Sequence, residues 1–102
     1  MHLPEPIEFE WDEDNEAKNW EKHRVSTREC EQFFLNAPFV SKDSGHSEKE
    51  YRYAAMGETD SGRKLAVVFT VRNYKIRVIT ARDMNNKEQT NYDRQKKEDP
   101  KF

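Results

Sequence analysis

The chain has 102 residues, 37% of them charged and 33% apolar, a composition that suits one domain with a modest core. It has no apolar run long enough to span a membrane, and Met1 to Glu5 lack the basic and apolar regions of a signal peptide. The single cysteine, Cys30, excludes an internal disulfide and a zinc cluster of cysteines, so we expect a cytoplasmic protein.

The net charge of −2 is unevenly distributed along the chain. Residues 1–16 contain seven acidic residues and no lysine or arginine, which leaves 18 basic against 13 acidic residues, a net charge of +5, for residues 17–102. A basic body of this kind can bind phosphate groups locally. The acidic segment either begins a helix and stays hydrated or takes part in partner selection, and the charge pattern leaves both interpretations open.

The first predicted elements are a strand and a helix. Ile7, Phe9 and Trp11 alternate with glutamates, a pattern typical of a half-buried strand. Asp12 is then a suitable N-cap, because acidic residues follow it directly and basic residues precede the expected helix end near His23.

A second helix is predicted to begin after Ser26. Ser26 and Glu29 have the spacing of a capping box, in which each side chain binds the other residue's backbone N–H. Cys30, Phe33 and Phe34 form the apolar stripe of this helix, so we interpret Cys30 as a core residue rather than a nucleophile. The helix is expected to end at Asn36-Ala37-Pro38.

The second half of the chain predicts an antiparallel meander followed by a helix. Strands are expected at 39–40, 51–56, 65–71 and 76–81, with turns at 57–62 and 73–74. The strand at 65–71 is apolar on both faces and is expected inside the sheet. Asn85 and Glu88 have capping-box spacing and begin a polar last helix, in which Tyr92 is the main apolar residue.

These elements predict a single α+β domain with an N-terminal strand, two helices, an antiparallel sheet and a C-terminal helix. The domain is expected to occupy residues 7–97. Residues 1–6 are expected to form a flexible leader and residues 98–102 a disordered tail.

Arginines recur at strand positions near turns, and they are Arg63, Arg72, Arg77 and Arg82. The odd spacing of the last two predicts opposite side-chain directions. Guanidinium groups stabilise charge on phosphoryl oxygens, so this set suits RNA cleavage in which a ribose 2′-OH attacks the adjacent phosphorus without a metal. Lys22 and His23, at a helix end, are the candidate pair for proton transfer. The three histidines are scattered, and neither a metal site nor a cofactor is expected.

Each of these residues also has a structural interpretation. Lys22 and His23 favour a helix C-terminus electrostatically, and strand arginines commonly form cross-strand ion pairs. Trp11 can anchor the core or stack on a base. Tyr92 can donate a proton or attach the last helix to the sheet.

Two blocks of the sequence form a pair of motifs. The first is Phe9-Glu10-Trp11-Asp12 followed by Asn15, Lys18-Asn19 and Lys22-His23. The second runs from Arg63-x-Leu65 through Arg77-x-Ile79-x-Ala81-Arg82 to Glu88-x-x-x-Tyr92. Together these blocks resemble BrnT-family toxins. The resemblance covers residues 7–95, and the order and spacing of the two blocks agree with the family.

The resemblance implies a small bacterial toxin of a type II toxin–antitoxin pair, with a RelE-like ribonuclease fold that blocks translation by cleaving RNA. It also implies a BrnA-type ribbon-helix-helix antitoxin as partner, through which operator DNA is bound. We therefore take as candidate catalytic residues Lys22, His23, Arg63, Arg77, Arg82 and Tyr92. Candidate RNA-binding residues are Trp11 and Arg72.

The sequence departs from the family pattern at one position after the first block. Arg24 stands where glycine is common, which implies either a strained left-handed helix cap or a different exit from the helix. This departure and the acidic N-terminal segment motivate an alternative function. In that alternative the chain is a catalytically weak binding module that acts as corepressor together with its antitoxin.

Overall fold

The computed structural model describes residues 3–42 and 51–98. The elements are α1 (Glu13–His23), α2 (Thr27–Leu35), β1 (Phe39–Lys42), β2 (Tyr53–Glu58), β3 (Lys64–Arg72), β4 (Lys75–Asp83) and α3 (Asn86–Glu98). The strands form one antiparallel sheet in the order β1-β2-β3-β4. The predicted α+β fold and its meander are therefore confirmed, with β3 inside the sheet.

The predicted N-caps of all three helices are confirmed. Asp12 and Asn15 form a reciprocal capping box at α1, with distances of 2.9 and 2.8 Å between side-chain oxygen and backbone nitrogen. Ser26 and Glu29 form the box of α2, and Asn85 and Glu88 exchange the equivalent bonds before α3. Local hydrogen bonding thus sets where each helix begins.

Helix α1 ends in a strained conformation. Arg24 has φ 55° and ψ 38°, the left-handed region, and its N–H donates to the carbonyl of Trp20 at 2.9 Å. Of the two alternatives predicted at this position, strain is the one observed. The Arg24 guanidinium lies 5.3 Å from the centre of the exposed Trp20 ring, so the side chain contributes a cation–π contact.

The core lies between α2 and the sheet. The Phe34 ring meets the edges of Phe33 and Phe69 at centroid distances of 5.0 and 4.9 Å. Cys30 is buried in this core, and burial raises the pKa of its thiol to about 12, in agreement with its predicted core role. The turn predicted to start at Gly57 was placed too early, because Gly57 belongs to β2. A Cβ at Gly57 would lie 2.9 Å from Cε2 of Phe33, so only glycine allows this close helix–sheet packing.

The predicted N-terminal strand is reduced to one bridge. Phe9 pairs in parallel with Ile76, through bonds of 2.8 Å from Glu10 N to Ile76 O and from Ile76 N to Glu8 O. After the Phe9–Ile76 bridge, side chains of α1 bind the free edge of β4. Asn15 Nδ2 donates to Val78 O at 3.4 Å, and Asn19 Oδ1 accepts from Ala81 N at 3.0 Å. These amide side chains occupy backbone groups that a strand would otherwise pair.

The prediction that Arg77 and Arg82 point in opposite directions was wrong. Arg77 lies opposite Thr70 and Arg82 opposite Ala66, two β3 positions that face the same side of the sheet. The register shifts between Val68 and Phe69, so β4 carries one extra residue between the two arginines. Such a bulge reverses the alternation of side chains and places both arginines on one face.

Parts of the predicted leader and tail lie outside the described residues. In the leader, residues 3–6 are described, and Leu3 packs against the core. The tail is described only at Glu98, the last residue of α3. Residues 43–50, which include His46, also lie outside the described ranges.

Replacing Arg24 with glycine should raise the free energy of unfolding by about 0.5–1 kcal/mol, because glycine adopts the left-handed cap without strain. The loss of the Trp20 contact limits this gain. Denaturant unfolding measures the change, and Arg24→Ala is the matched control because it removes the guanidinium and keeps the strain. Equal stability of the glycine and alanine variants would contradict the assignment of strain to this cap.

Candidate functional site

The sheet has two unlike faces. One face carries Leu65, Val67 and Phe69 and packs against α2. We call the opposite face the α3 face, because α3 contacts it through Tyr92, Asp93 and Glu88. The side chains that the strand register places on the α3 face include Phe39, Met56, Glu58, Lys64, Ala66, Val68, Arg77 and Arg82.

Tyr92 attaches α3 to the sheet. Its buried ring meets the edge of Phe39 at a centroid distance of 5.7 Å, and its hydroxyl donates to Glu58 at 2.8 Å. Burial and the adjacent Glu58 carboxylate raise the pKa of the Tyr92 hydroxyl above its ordinary value. Lys96 also binds Glu58, and Lys64 pairs with Asp93 at 2.8 Å. The geometry is that of the attachment role predicted as one alternative for Tyr92.

A cavity of about 230 Å³ lies on the α3 face next to this attachment. Its floor is formed by small and apolar sheet residues, which are Ala54, Met56, Ala66 and Val68. Arg82 and Glu88 line the same cavity, together with Thr80 and Gln95. An apolar floor beside a few polar groups is the usual form of a ligand site.

Arg82 and Glu88 form a bidentate ion pair at this cavity. The two guanidinium nitrogens donate to the two carboxylate oxygens at 2.7 and 2.9 Å. The Arg82 hydrogen bonds hold the pKa of Glu88 below its ordinary value, so Glu88 is a carboxylate at neutral pH. The Arg82 side chain is 42% exposed, which leaves its guanidinium accessible to an anion from solution.

Arg77 and Arg72 meet the acidic N-terminal segment at the edge of β4. Arg77 pairs with Glu10 at 3.3 Å and with Asp12 at 2.7 Å, and Arg72 lies 3.8 Å from Glu10. The Asn15 backbone N–H and then Arg77 lower the pKa of Asp12. The acidic segment therefore supplies counter-charges to two arginines of the sheet, in addition to starting α1.

Trp11 lies beside this edge without facing the cavity. Its ring stacks on Phe9 at a centroid distance of 5.9 Å, and its Nε1 donates to Glu31 at 3.0 Å. The side chain is partly buried against the core. This is the arrangement of the predicted core anchor.

Arg63 uses all five of its N–H donors within the protein. Nε and one terminal nitrogen bind Asp83 at 2.7 and 3.1 Å. The remaining donors reach Glu29 at 3.0 Å and the carbonyl oxygens of Arg24 and His23 at 2.8 and 3.1 Å. We call this set the Arg63 cluster. It joins the end of α1, the start of α2 and the end of β4 on the side of the sheet away from the cavity.

The predicted site residues therefore do not form one group. His23 lies at the Arg63 cluster, where its charge helps lower the pKa of Asp83 after the stronger effect of Arg63. Lys22 is exposed on the last turn of α1. Arg82 is the one predicted site residue that lines the cavity.

Sequence reasoning did not select Glu88 as a site residue. Its capping-box spacing from Asn85 was recognised, and it stands in the second resemblance block. The signal that would have selected it is its position six residues after Arg82, across the junction of β4 and α3, which brings a carboxylate to the arginine.

Two properties of the described residues, 3–42 and 51–98, bear on the function. These residues contain no group of three or more side chains suited to hold a metal ion. In the same ranges no helix has the length and apolar character needed to cross a membrane.

Comparison with known proteins identifies the family. A family model described as the ribonuclease toxin BrnT of a type II toxin–antitoxin system matches residues 11–88, most of the chain. The chain belongs to the BrnT family. Its members are described as ribonuclease toxins of type II toxin–antitoxin systems, so an antitoxin partner is implied.

A solved structure confirms the fold. The 1.1 Å crystal structure of the Brucella abortus ribonuclease toxin BrnT matches with a TM-score of 0.58 and 23% sequence identity. The match covers 78% of this chain and 99% of that chain. A comparison with curated proteins finds no match. The predicted BrnT resemblance is thus confirmed by the family model and the fold.

Replacing Arg63 with methionine should lower the free energy of unfolding at pH 7 by about 2–3 kcal/mol, because several charge-assisted hydrogen bonds are lost together. Arg63 holds the pKa of Asp83 below its ordinary value of 3.8, so this part of the stability is present above about pH 4 and is lost as pH falls through the depressed pKa. Denaturant unfolding at pH 7 and pH 3 should show a smaller difference between native and variant chains at pH 3.

Arg94→Met is the matched control for this experiment, because Arg94 is exposed on α3. It should change stability little at either pH. A difference between the native chain and Arg63→Met that stays constant with pH would refute the linkage to Asp83.

Proposed function

We propose that this BrnT-family chain is a metal-independent endoribonuclease toxin whose active site is the cavity on the α3 face. The observation that carries the proposal is the bidentate Arg82–Glu88 pair lining a cavity with an apolar floor. The cavity has the character needed to receive a nucleobase, and the pair lies beside it. RNA cleavage there would block translation in the cytoplasm.

The proposed chemistry uses the two members of the pair for different tasks. A phosphate entering the site competes with Glu88 for Arg82, because guanidinium binds phosphate and carboxylate with the same two-pronged geometry. Arg82 then stabilises negative charge that develops on the phosphoryl oxygens. Glu88 loses its main partner, so its pKa rises and it becomes a better acceptor for the proton of the attacking ribose 2′-OH. The 2′-oxygen bonds to phosphorus as the bond from phosphorus to the 5′-oxygen breaks, and the departing 5′-oxygen takes a proton from water.

The remaining predicted residues take supporting parts in this proposal. Arg77 and Arg72 bind neighbouring phosphates once RNA displaces Glu10 and Asp12. Arg63 and Tyr92 position the site, since Arg63 fixes the end of β4 next to Arg82 and Tyr92 fixes the helix that carries Glu88. Lys22 and His23 stay predicted catalytic residues, and they are not among the residues that line the cavity.

A second candidate function has one observation in its favour. Arg63, Arg77 and Arg82 are each paired with a carboxylate of the same chain. A protein whose cations are neutralised internally could bind RNA weakly and serve mainly as corepressor with a BrnA-like ribbon-helix-helix antitoxin. The two functions differ in whether the purified chain cleaves RNA.

Arg82→Gln and Glu88→Gln should each reduce RNA cleavage by about a hundredfold or more, because each removes one charge that acts in the transition state. Glu88→Gln keeps a side-chain oxygen that accepts from the Asn85 backbone N–H, so the capping box and α3 are retained. Cleavage by purified protein is the measurement, and inducible expression with mapping of RNA 5′ ends checks it in cells. Growth arrest should be relieved by the product of the neighbouring gene.

Arg94→Gln serves as control in both assays and should cleave RNA like the native chain. Full cleavage by folded Arg82→Gln would place the active site elsewhere. Intact RNA with the native chain, purified and folded, would favour the corepressor.

Replacing Glu10 with glutamine and Asp12 with asparagine should increase affinity for RNA about two- to fivefold, because the competing carboxylates at Arg77 are removed. Asparagine is as good an N-cap as aspartate, so α1 stays intact. Binding of a labelled single-stranded RNA at low salt is the measurement. The double variant Glu8→Gln with Glu21→Gln is the charge-matched control, because it also removes two exposed carboxylates. An equal gain from that variant would show that net charge alone is responsible.

A further inference from the structure

We infer that Tyr74, in the turn between β3 and β4, is a base-stacking site for single-stranded RNA. The inference rests on the proposed function, and it adds to it a second subsite outside the cavity. It joins three observations on this turn, which are the exposure of the ring, the backbone conformation and the flanking cations.

The Tyr74 ring is almost fully exposed. Its relative exposure is 85%, the highest of any large hydrophobic residue among those described. Trp20, by contrast, is covered in part by the Arg24 guanidinium. Within residues 3–42 and 51–98, neither a ring contact nor a hydrogen bond of the Tyr74 side chain occurs. Packing within the described chain therefore does not account for a tyrosine at this position.

The backbone at the turn also disfavours tyrosine. Asn73 and Tyr74 have φ values of 50° and 63°, the pattern of a two-residue hairpin turn with positive φ at both positions. Asparagine suits the first position, and glycine is strongly preferred at the second. A bulky residue there is a strained exception, and such exceptions concentrate at functional sites.

Two cationic residues lie close to Tyr74 in the sequence, one on each side of the turn. Arg72 ends β3 and Lys75 begins β4, and both are exposed. An aromatic ring beside cations is the arrangement by which proteins bind single-stranded nucleic acid, since the ring stacks on a base and the cations bind phosphates. A protein partner would instead favour a continuous apolar patch, which one ring among charged residues does not provide.

The turn and the cavity lie at opposite ends of β4. Tyr74 and Arg82 are eight residues apart in an extended strand, a separation of about 25 Å. Arg77 lies between them. An RNA strand that reached both sites would cover several nucleotides, so Tyr74 would contact a nucleotide away from the cleaved bond. Loss of Tyr74 should therefore raise KM and leave kcat nearly unchanged.

The test compares Tyr74→Gly with Tyr74→Phe. Glycine suits the turn, so Tyr74→Gly should raise the midpoint of thermal unfolding while it weakens RNA binding about tenfold, the loss expected for one stacked base. Tyr74→Phe keeps the ring and should bind RNA like the native chain. The probe is a labelled 2′-O-methyl RNA of about eight nucleotides, which cannot be cleaved by 2′-OH attack. Opposite changes in stability and affinity would separate stacking from a structural role.

Three results would overturn the inference. If Tyr74→Gly binds the RNA as tightly as the native chain, stacking at Tyr74 is refuted while the proposed cavity site stands. If Tyr74→Gly keeps its RNA affinity but loses binding to its antitoxin, the turn is a protein-binding element. If the native chain neither binds this probe nor cleaves unmodified RNA, the proposed function fails and the subsite fails with it.

Discussion

The Arg63 cluster is the interaction on which the remaining arrangement depends. One guanidinium satisfies the carbonyl oxygens at the end of α1, a carboxylate in the first turn of α2 and the carboxylate of Asp83 at the end of β4. Helix ends leave carbonyl groups without partners, and here Arg63, the residue just before β3, donates to them. The junction of α1 and α2 and the distant end of β4 are thereby fixed to one planar group. The end of β4 is in turn the point from which Arg82 extends to the other face.

Positioning and binding are thus divided between the two sides of the sheet. On the α1 and α2 side, Arg63 serves the fold alone, since each of its N–H donors has an acceptor in the chain. On the α3 face, Arg82 has one carboxylate partner and remains partly exposed. Two arginines in the same sequence block therefore differ in what they can do. The difference comes from the number of protein acceptors around each guanidinium, which motif matching does not reveal.

The sequence allowed prediction of features whose causes are local. The N-cap at Asp12 and the capping boxes at Ser26 and Asn85 depend on residues at most three apart, and the strands of the meander follow from alternation and turn residues. The bulge between Arg77 and Arg82 was missed because one extra residue in a strand has no distinct pattern in this sequence. The full N-terminal strand was also wrong, since its place at the β4 edge is taken by the Asn15 and Asn19 side chains. Such competition between distant groups for the same backbone is a tertiary effect.

Two residues with positive φ, Arg24 and Tyr74, differ in the contacts that surround their strained backbone. Arg24 occupies a glycine-like cap, but its carbonyl binds Arg63 and its guanidinium contacts Trp20, so neighbouring interactions offset the strain. Tyr74 occupies a glycine-like turn with no such compensation among the described residues. A strained residue persists when its surroundings stabilise it or when its function requires it. The first explanation suffices for Arg24, whereas the stacking site that we infer at Tyr74 would give that residue the second, at the turn between Arg72 and Lys75.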